Sequence, residues 1–391
     1  MMKQRNRVAL LALVMGLLPV AANAVDLRSQ YRLEVVRNMA GQVISSNSSS
    51  YADLVSINNK GHIAGNLVNN GTYAGAFWAS ENSDGKWNVV NLPFLDARGG
   101  NYNRVNALND NDQMVGYSTE WASSSNSKQH AAEWSLLSDG HFLTTSLHQG
   151  NFQNTSTASD INNLGQAIGS SFPPGVLSPT MLTAGFNPTP TNPVPTEGWA
   201  IANNDMYAGL TKIGGSSRGF IVDHNGIHTD IGIFGKAATA INDNGLATFF
   251  DSIDYNNNHV AYDLRSAAVL KAGVEGAITH AMGSNASSSI VGQSFVNNRG
   301  HAFLTQNEET WDLDQIFSTG AGQPGWSHLE AATDINDRGV IIGTGTYLDT
   351  NHRTIDKAIF VLTPVPEPQT YAMLLAGLAV VGWRARSRRR G

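Results

Sequence analysis

Along most of the chain, apolar residues fall in short runs broken by Asn, Asp, Gly and Ser, without a sustained helical period. Runs bounded by turn formers in this way predict strands. One run recurs. Ile57–Gly65 (INNKGHIAG) returns as Leu108–Gly116 (LNDNDQMVG), Ile161–Gly169 (INNLGQAIG), Ile201–Gly209 (IANNDMYAG), Ile241–Phe249 (INDNGLATF) and Ile335–Gly343 (INDRGVIIG). A degenerate copy, two residues longer, runs from Met282 to Gly292 (MGSNASSSIVG). Successive copies start 51, 53, 40, 40, 41 and 53 residues apart.

Each copy reads as a hairpin. An apolar residue ends one strand, Asn or Asp bonds the backbone two residues on, Gly supplies positive φ, and a second strand departs. A small residue followed by an aromatic marks a third strand, as in Gly75-Ala76-Phe77-Trp78, Ala131-Ala132-Glu133-Trp134, Arg218-Gly219-Phe220-Ile221, Val260-Ala261-Tyr262, His301-Ala302-Phe303-Leu304 and Lys357-Ala358-Ile359-Phe360. A fourth strand is visible at Trp87–Leu92 and Thr310–Ile316. Four short strands per repeat predict an all-β fold, a β-propeller of seven four-stranded blades over residues 25–363. The seventh copy has only three strands, and a lone strand at Tyr31–Val36 would complete it, closing the ring with no open edge. Six blades are expected instead if the copy at Met282 is an insertion. The copies also resemble the bacterial extracellular HAF repeat, which pairs an Ile-Asn-x-x-Gly segment with a His-Ala-Phe strand; His301-Ala302-Phe303-Leu304 matches the second part outright. That resemblance spans roughly residues 50–363 and implies an exported repeat protein, with no catalytic residues to carry over.

Composition sharpens the picture. Gly numbers 39 and Asn 38, consistent with many tight turns. Hydrophobic content of 41% against 14% charged residues excludes a disordered chain. With no Cys, disulfides and thiolate chemistry are excluded. Seven of the 13 prolines lie between Pro173 and Pro195, inside the third repeat. Proline cannot donate to a ladder, so a long irregular loop and a weak or missing outer strand are expected there. It is a candidate recognition loop or a solvated insertion.

Both ends read as addresses. Residues 1–24 combine a basic start, an apolar run from Val8 to Ala22, and small residues Ala22 and Ala24 at the −3 and −1 positions. This is the pattern of a secretory signal peptide cut after Ala24 by signal peptidase. At the other end, residues 364–391 carry Val365-Pro366-Glu367-Pro368, an apolar stretch Tyr371–Trp383, and Arg384, Arg386, Arg388, Arg389 and Arg390. Thirteen residues rise ~20 Å as a helix, a short transmembrane segment, and the arginines would stay on the cytoplasmic side. The arrangement resembles the PEP-CTERM sorting signal of Gram-negative bacteria. It implies transient inner-membrane insertion, cleavage by an exosortase near Pro366-Glu367-Pro368, and release or transfer to the cell surface. Between the two tags, residues 25–383 hold 17 basic and 31 acidic residues, a formal −14. That disfavours nucleic acid and anionic lipid as long-range partners of the body.

Other constellations carry less. Gly215-Ser216-Ser217-Arg218-Gly219 fits the G-x-S-x-G elbow, but it joins two strands with no helix following. Asp160–Gly165 and Asp334–Gly339 echo a calcium loop, yet Leu164 and Arg338 occupy the fifth place and turn capping explains the acids. The eleven histidines show no zinc spacing, and no cofactor is indicated. Trp78, Trp134, Phe220, Phe303 and Phe360 read as core residues at equivalent blade positions, and Trp121, Trp199 and Trp326 as surface candidates. The reading is a non-enzymatic, exported matrix or recognition protein that could bind exopolysaccharide or a surface protein. The alternative is an extracellular lyase or glycosidase with carboxylates at the channel mouth. Two acids meeting in an axial pocket without a basic partner would favour the alternative, whereas a flat lumen lined by Asn and Ser would count against it.

Overall fold

A computed structural model describes residues 27–365, apart from the internal segments 47–54, 70–71, 97–101, 124–125, 149–152, 173–179, 185–196, 214–215, 233–237, 251–258 and residue 321. The chain is all-β, with six four-stranded sheets in a β-propeller arrangement and one sheet with three described strands. Numbered along the chain, the sheets are 1 (residues 56–91), 2 (103–146), 3 (155–184), 4 (197–232), 5 (238–271), 6 (278–312) and 7 (325–364 with Tyr31–Val35). Every sheet is an antiparallel meander, its first strand running into the repeat motif and its second leaving it. The three-stranded sheet is the proline-rich third one; most of its proline segment lies outside the described residues. Tyr31–Val35 pairs with Thr354–Pro364, Tyr31 opposite Pro364 and Val35 opposite Phe360.

The motif works through its Asn. In Asn58, Asn109, Asn162, Asn242, Asn285 and Asn336, the side-chain oxygen accepts the N–H groups two and four residues on, which closes the turn. The amide nitrogen of each then donates to the backbone carbonyl at the same position of the next sheet: Asn109, Asn162, Ala202, Asn285, Asn336 and Asn58. The last of these bonds joins sheet 7 to sheet 1 at 2.9 Å. All six side chains are buried. Ala202 interrupts the series because it has no amide. Gly61, Gly165, Gly245 and Gly339 take positive φ at the turn, and Asp112, Asp205 and Ser288 take it in the copies without Gly.

A second circuit lies one residue on. The backbone N–H of Asn59, Asp110, Asn163 and Asn203 donates to the side-chain oxygen of Asp110, Asn163, Asn203 and Asp243 at 2.7–2.8 Å. Ala286 donates likewise to Asp337, and Asp337 to Asn59. The missing link is Asp243 to Ala286, where the acceptor side chain is absent. This alignment also revises the degenerate copy. Asn285 stands where Asn242 and Asn336 stand, so the copy runs from Ser284 to Gly292 and has the regular nine residues. Ser284 in place of Ile hides it.

The ninth residue packs against a bulge. In sheets 2, 3, 4, 6 and 7 the first strand carries an extra residue opposite Gly116, Gly169, Gly209, Gly292 and Gly343. Bulges bend a strand and re-aim its side chains. Here the backbone carbonyl of Ala331 and the ring of Phe360 occupy the space where a Cβ on Gly343 would stand. Among the described residues, apolar clusters fill the space between each pair of consecutive sheets. One of them packs Ile57, Ile63 and Phe77 of sheet 1 against Ile342, Ile359 and Val361 of sheet 7.

Some details depart from the expected pattern. Phe220, Phe303 and Phe360 share a register position opposite Gly209, Gly292 and Gly343, but the sheet 1 residue opposite Gly65 is Phe77, with Trp78 one place further. Trp134 is two places beyond Ala132, the partner of Gly116. All are buried even so. Trp326 is not a surface residue: it is 5% exposed and packs edge-on against Phe360 and Tyr347. Trp121 is half-buried, and the Trp199 side chain lies outside the described residues. The fourth strand of sheet 6 stops at Asp312, whose carboxylate accepts the Gln315 N–H and starts a short helix, Leu313–Phe317.

Two substitutions test these contacts by urea unfolding. Gly343→Ala forces overlap with backbone and is expected to cost ~3 kcal/mol or more. Ala286→Asn supplies the missing acceptor for Asp243 and is expected to add ~0.5–1 kcal/mol.

Candidate functional site

The first strands of all seven sheets end around a common lumen, a cavity of about 220 Å³. Asn is its commonest lining residue, joined by Ser56, Ser159, Ser284, Thr239 and Thr333, by aspartates, and by apolar residues such as Ile57, Ile161 and Met282. Five aspartates line it, Asp110, Asp160, Asp243, Asp334 and Asp337, and no Lys, Arg or His does so among the described residues.

Asp160 and Asp334 hold the same repeat position, where the other sheets carry Ser56, Ala107, Ala200, Ala240 and Gly283. Each uses both carboxyl oxygens on backbone. Asp160 accepts its neighbour Ile161 N–H at 2.8 Å and the Ile201 N–H of sheet 4 at 2.8 Å. Asp334 accepts Ile335 N–H at 2.8 Å and the Ile57 N–H of sheet 1 at 2.9 Å. They are therefore clips between sheets as well as the turn caps expected from the sequence. Their carboxyls keep some contact with the lumen, yet the ring surrounds them. Burial pushes Asp160 up to about 7 against the pull of its two N–H donors, and Asp334 adds to the rise. Burial likewise raises Asp334 to about 6, opposed by its N–H donors and reinforced by Asp337.

Outside the lumen, charged groups tie neighbouring strands and sheets. Asp112 receives Asn58 Nδ2 at 3.0 Å, Lys60 Nζ at 2.8 Å, His62 Nδ1 at 2.6 Å and Trp78 Nε1 at 3.3 Å. Burial alone would raise its pKa, but hydrogen bonds from His62 and Lys60 outweigh that and hold it at about 2. The His-Ala-Phe segment is equally structural. Ala302, Phe303 and Leu304 are fully buried, and His301 lies 2.9 Å from Asp312 beside the buried pair Asp314–His328. Residues 216–219 of the G-x-S-x-G match lie in Ser216–Val222, paired with Tyr207–Ile213, with no nucleophile elbow.

Ala22, Ala24, Tyr371–Trp383 and every sorting-signal residue beyond Val365 lie outside the described residues. Among the described residues no helix is long and apolar enough to cross a membrane. Val365 is 44% exposed, and its N–H donates to the Gln30 carbonyl at 2.7 Å.

The raised carboxyls predict a pH response. In the unfolded chain Asp titrates near ~3.9, so between that pH and about 7 the folded state binds more protons. The stability contributed by Asp160 and Asp334 is present near pH 4 and is lost as pH rises through 6 and 7. Thermal melts from pH 4 to 8 should show the double variant Asp160→Asn, Asp334→Asn losing that downward component relative to the parent. Parallel curves would refute it.

No curated protein sequence matches the chain at a significant level. Among solved structures, TolB from Acinetobacter baumannii aligns with 13% identity and a TM-score of 0.34, over 72% of this chain and 62% of that one. The C-terminus gives the informative match: residues 364–390, beginning at the last residue of the last strand, fit the PEP-CTERM protein-sorting motif. The chain is thus an exported protein sorted by an exosortase.

Proposed function

We propose that the seven sheets form seven blades of one ring, closed by Tyr31–Val35 as the outer strand of the last blade. We further propose that the ring serves at the cell surface or in the extracellular matrix as a binding protein and not as an enzyme. The HAF-like repeat and a signal peptide cut after Ala24 belong to this reading, as does transient insertion of Tyr371–Trp383 in the inner membrane. Its partners would be exopolysaccharide or a surface protein.

The observation that carries it is the state of the axial acids. A general acid or nucleophile needs a carboxyl oxygen free to reach substrate. Asp160 and Asp334 commit both oxygens to backbone N–H groups that hold sheets together. The motif amides are engaged as well, but Asn106 Oδ1 and Ser284 Oγ line the lumen with no hydrogen-bond partner and could engage a small neutral polar ligand.

One observation favours the second reading, an extracellular lyase or glycosidase. Two carboxyls from different sheets face one lumen with pKa values near 7 and 6, and among the described residues no basic side chain lines it. A glycan array combined with a hydrolysis and lyase assay on the purified protein separates the two. Binding without turnover is expected. Product formation abolished by Asp160→Asn would establish the enzyme.

A further inference from the structure

The sorting motif has no linker before it. Pro364 is both the last residue of Thr354–Pro364 and the first residue of the matched motif. Tyr31 opposes it in the ladder, and Val365 is still bonded to Gln30. The strand runs antiparallel to Ile341–Leu348, with Leu362 opposite Ile341, so its end returns to the turn that follows Asn336. A Cβ placed on Gly339 would lie 3.3 Å from Pro364 Cγ and 3.7 Å from the Tyr31 hydroxyl. The tail therefore leaves from the face of the ring that carries the Asn turns and the Asp337 circuit. Hairpins such as Val296–Arg299 lie on the opposite face.

Six residues, 365–370, separate Pro364 from the apolar run at Tyr371. Fully extended, the step from Pro364 to Tyr371 spans at most ~25 Å. A seven-residue strand such as Ile290–Val296 is itself ~20–23 Å long, which sets the thickness of the ring. With the opposite face down, the tether would use nearly its whole reach in passing the ring. With the turn face down it has slack. Leu164 at the tip of that face is 65% exposed, while Lys60 and Arg338 share the face with the exposed acids Asp243 and Asp337, so the tether and not surface charge sets the orientation.

We infer that, while the tail is in the membrane, the ring stands with its turn face on the lipid headgroups, so that the lumen opens toward the bilayer until the tail is cut. This rests on the sorting reading. It also places Pro366-Glu367-Pro368 within ~14 Å of the folded ladder, so cleavage takes place between the ring and the bilayer.

The chain lacks Cys, which permits single-site labelling. Full-length Leu164→Cys (turn face) and Arg299→Cys (opposite face) would carry a fluorophore and be reconstituted in phosphatidylcholine vesicles with a headgroup-attached quencher. The expected result is quenching several times stronger at position 164. A flexible Gly/Ser spacer inserted after Val365 should remove the difference. Equal or reversed quenching without the spacer overturns the orientation, and a difference that survives the spacer overturns the tether as its cause. A full-length protein that stays off the vesicles overturns both this inference and the sorting reading.

Discussion

A single buried amide holds the architecture together. Each motif Asn spends its oxygen inside its own turn and its nitrogen on the next sheet, so local turn closure and sheet-to-sheet spacing depend on the same side chain. Asp could close the turn but could not donate, and Ser could not reach both. The flat, polar rim that results has few free groups, because the wall is built from atoms already engaged. Sheets that share such bonds must also share a radius, and the apolar clusters fill the wedges this leaves between them.

That constraint explains the quiet chemistry of the lumen. Where Asp replaces a small residue at the strand end, as at Asp160 and Asp334, the carboxyl becomes another tie between sheets. The two ties differ from the amide staples in carrying a titratable charge into a surrounded space. The staples hold at any pH, whereas the clips carry an electrostatic cost once both are ionised. A ring built from amides alone would be indifferent to acidity; this one is not.

Much of the fold was legible because its signals are turn chemistry, and turn chemistry is local. The Asn and Gly of INNKGHIAG or INDRGVIIG mark a hairpin in any context. What local pattern cannot show is register. The bulges opposite Gly116 and Gly343 depend on a partner strand, so the ninth-position Gly looked like part of the repeat without its steric reason. For the same cause Trp78 and Trp134 looked equivalent to Phe303, and Trp326, near a repeat edge, looked exposed. The strand expected over Thr310–Ile316 ends instead at Asp312, whose N-cap bond to Gln315 turns the chain into a helix, a local signal that the apolar pattern masked. Asp160 and Asp334 were visible as turn acids, but their second partners, 41 and 277 residues away, were not.

The pairing of Tyr31 with Pro364 has a consequence for the order of assembly. A chain threaded outward from its N-terminus presents Tyr31–Val35 first and its partner last. The earliest strand to emerge must wait as an open edge while 318 intervening residues, from Val36 to Arg353, cross behind it. An unpaired edge invites the wrong neighbour, and this one is kept short, with Arg32 and Glu34 bonded to each other at 2.8 Å on its exposed side. Pairing of Tyr31–Val35 with the end of Thr354–Pro364 thus requires that the whole intervening body is already made.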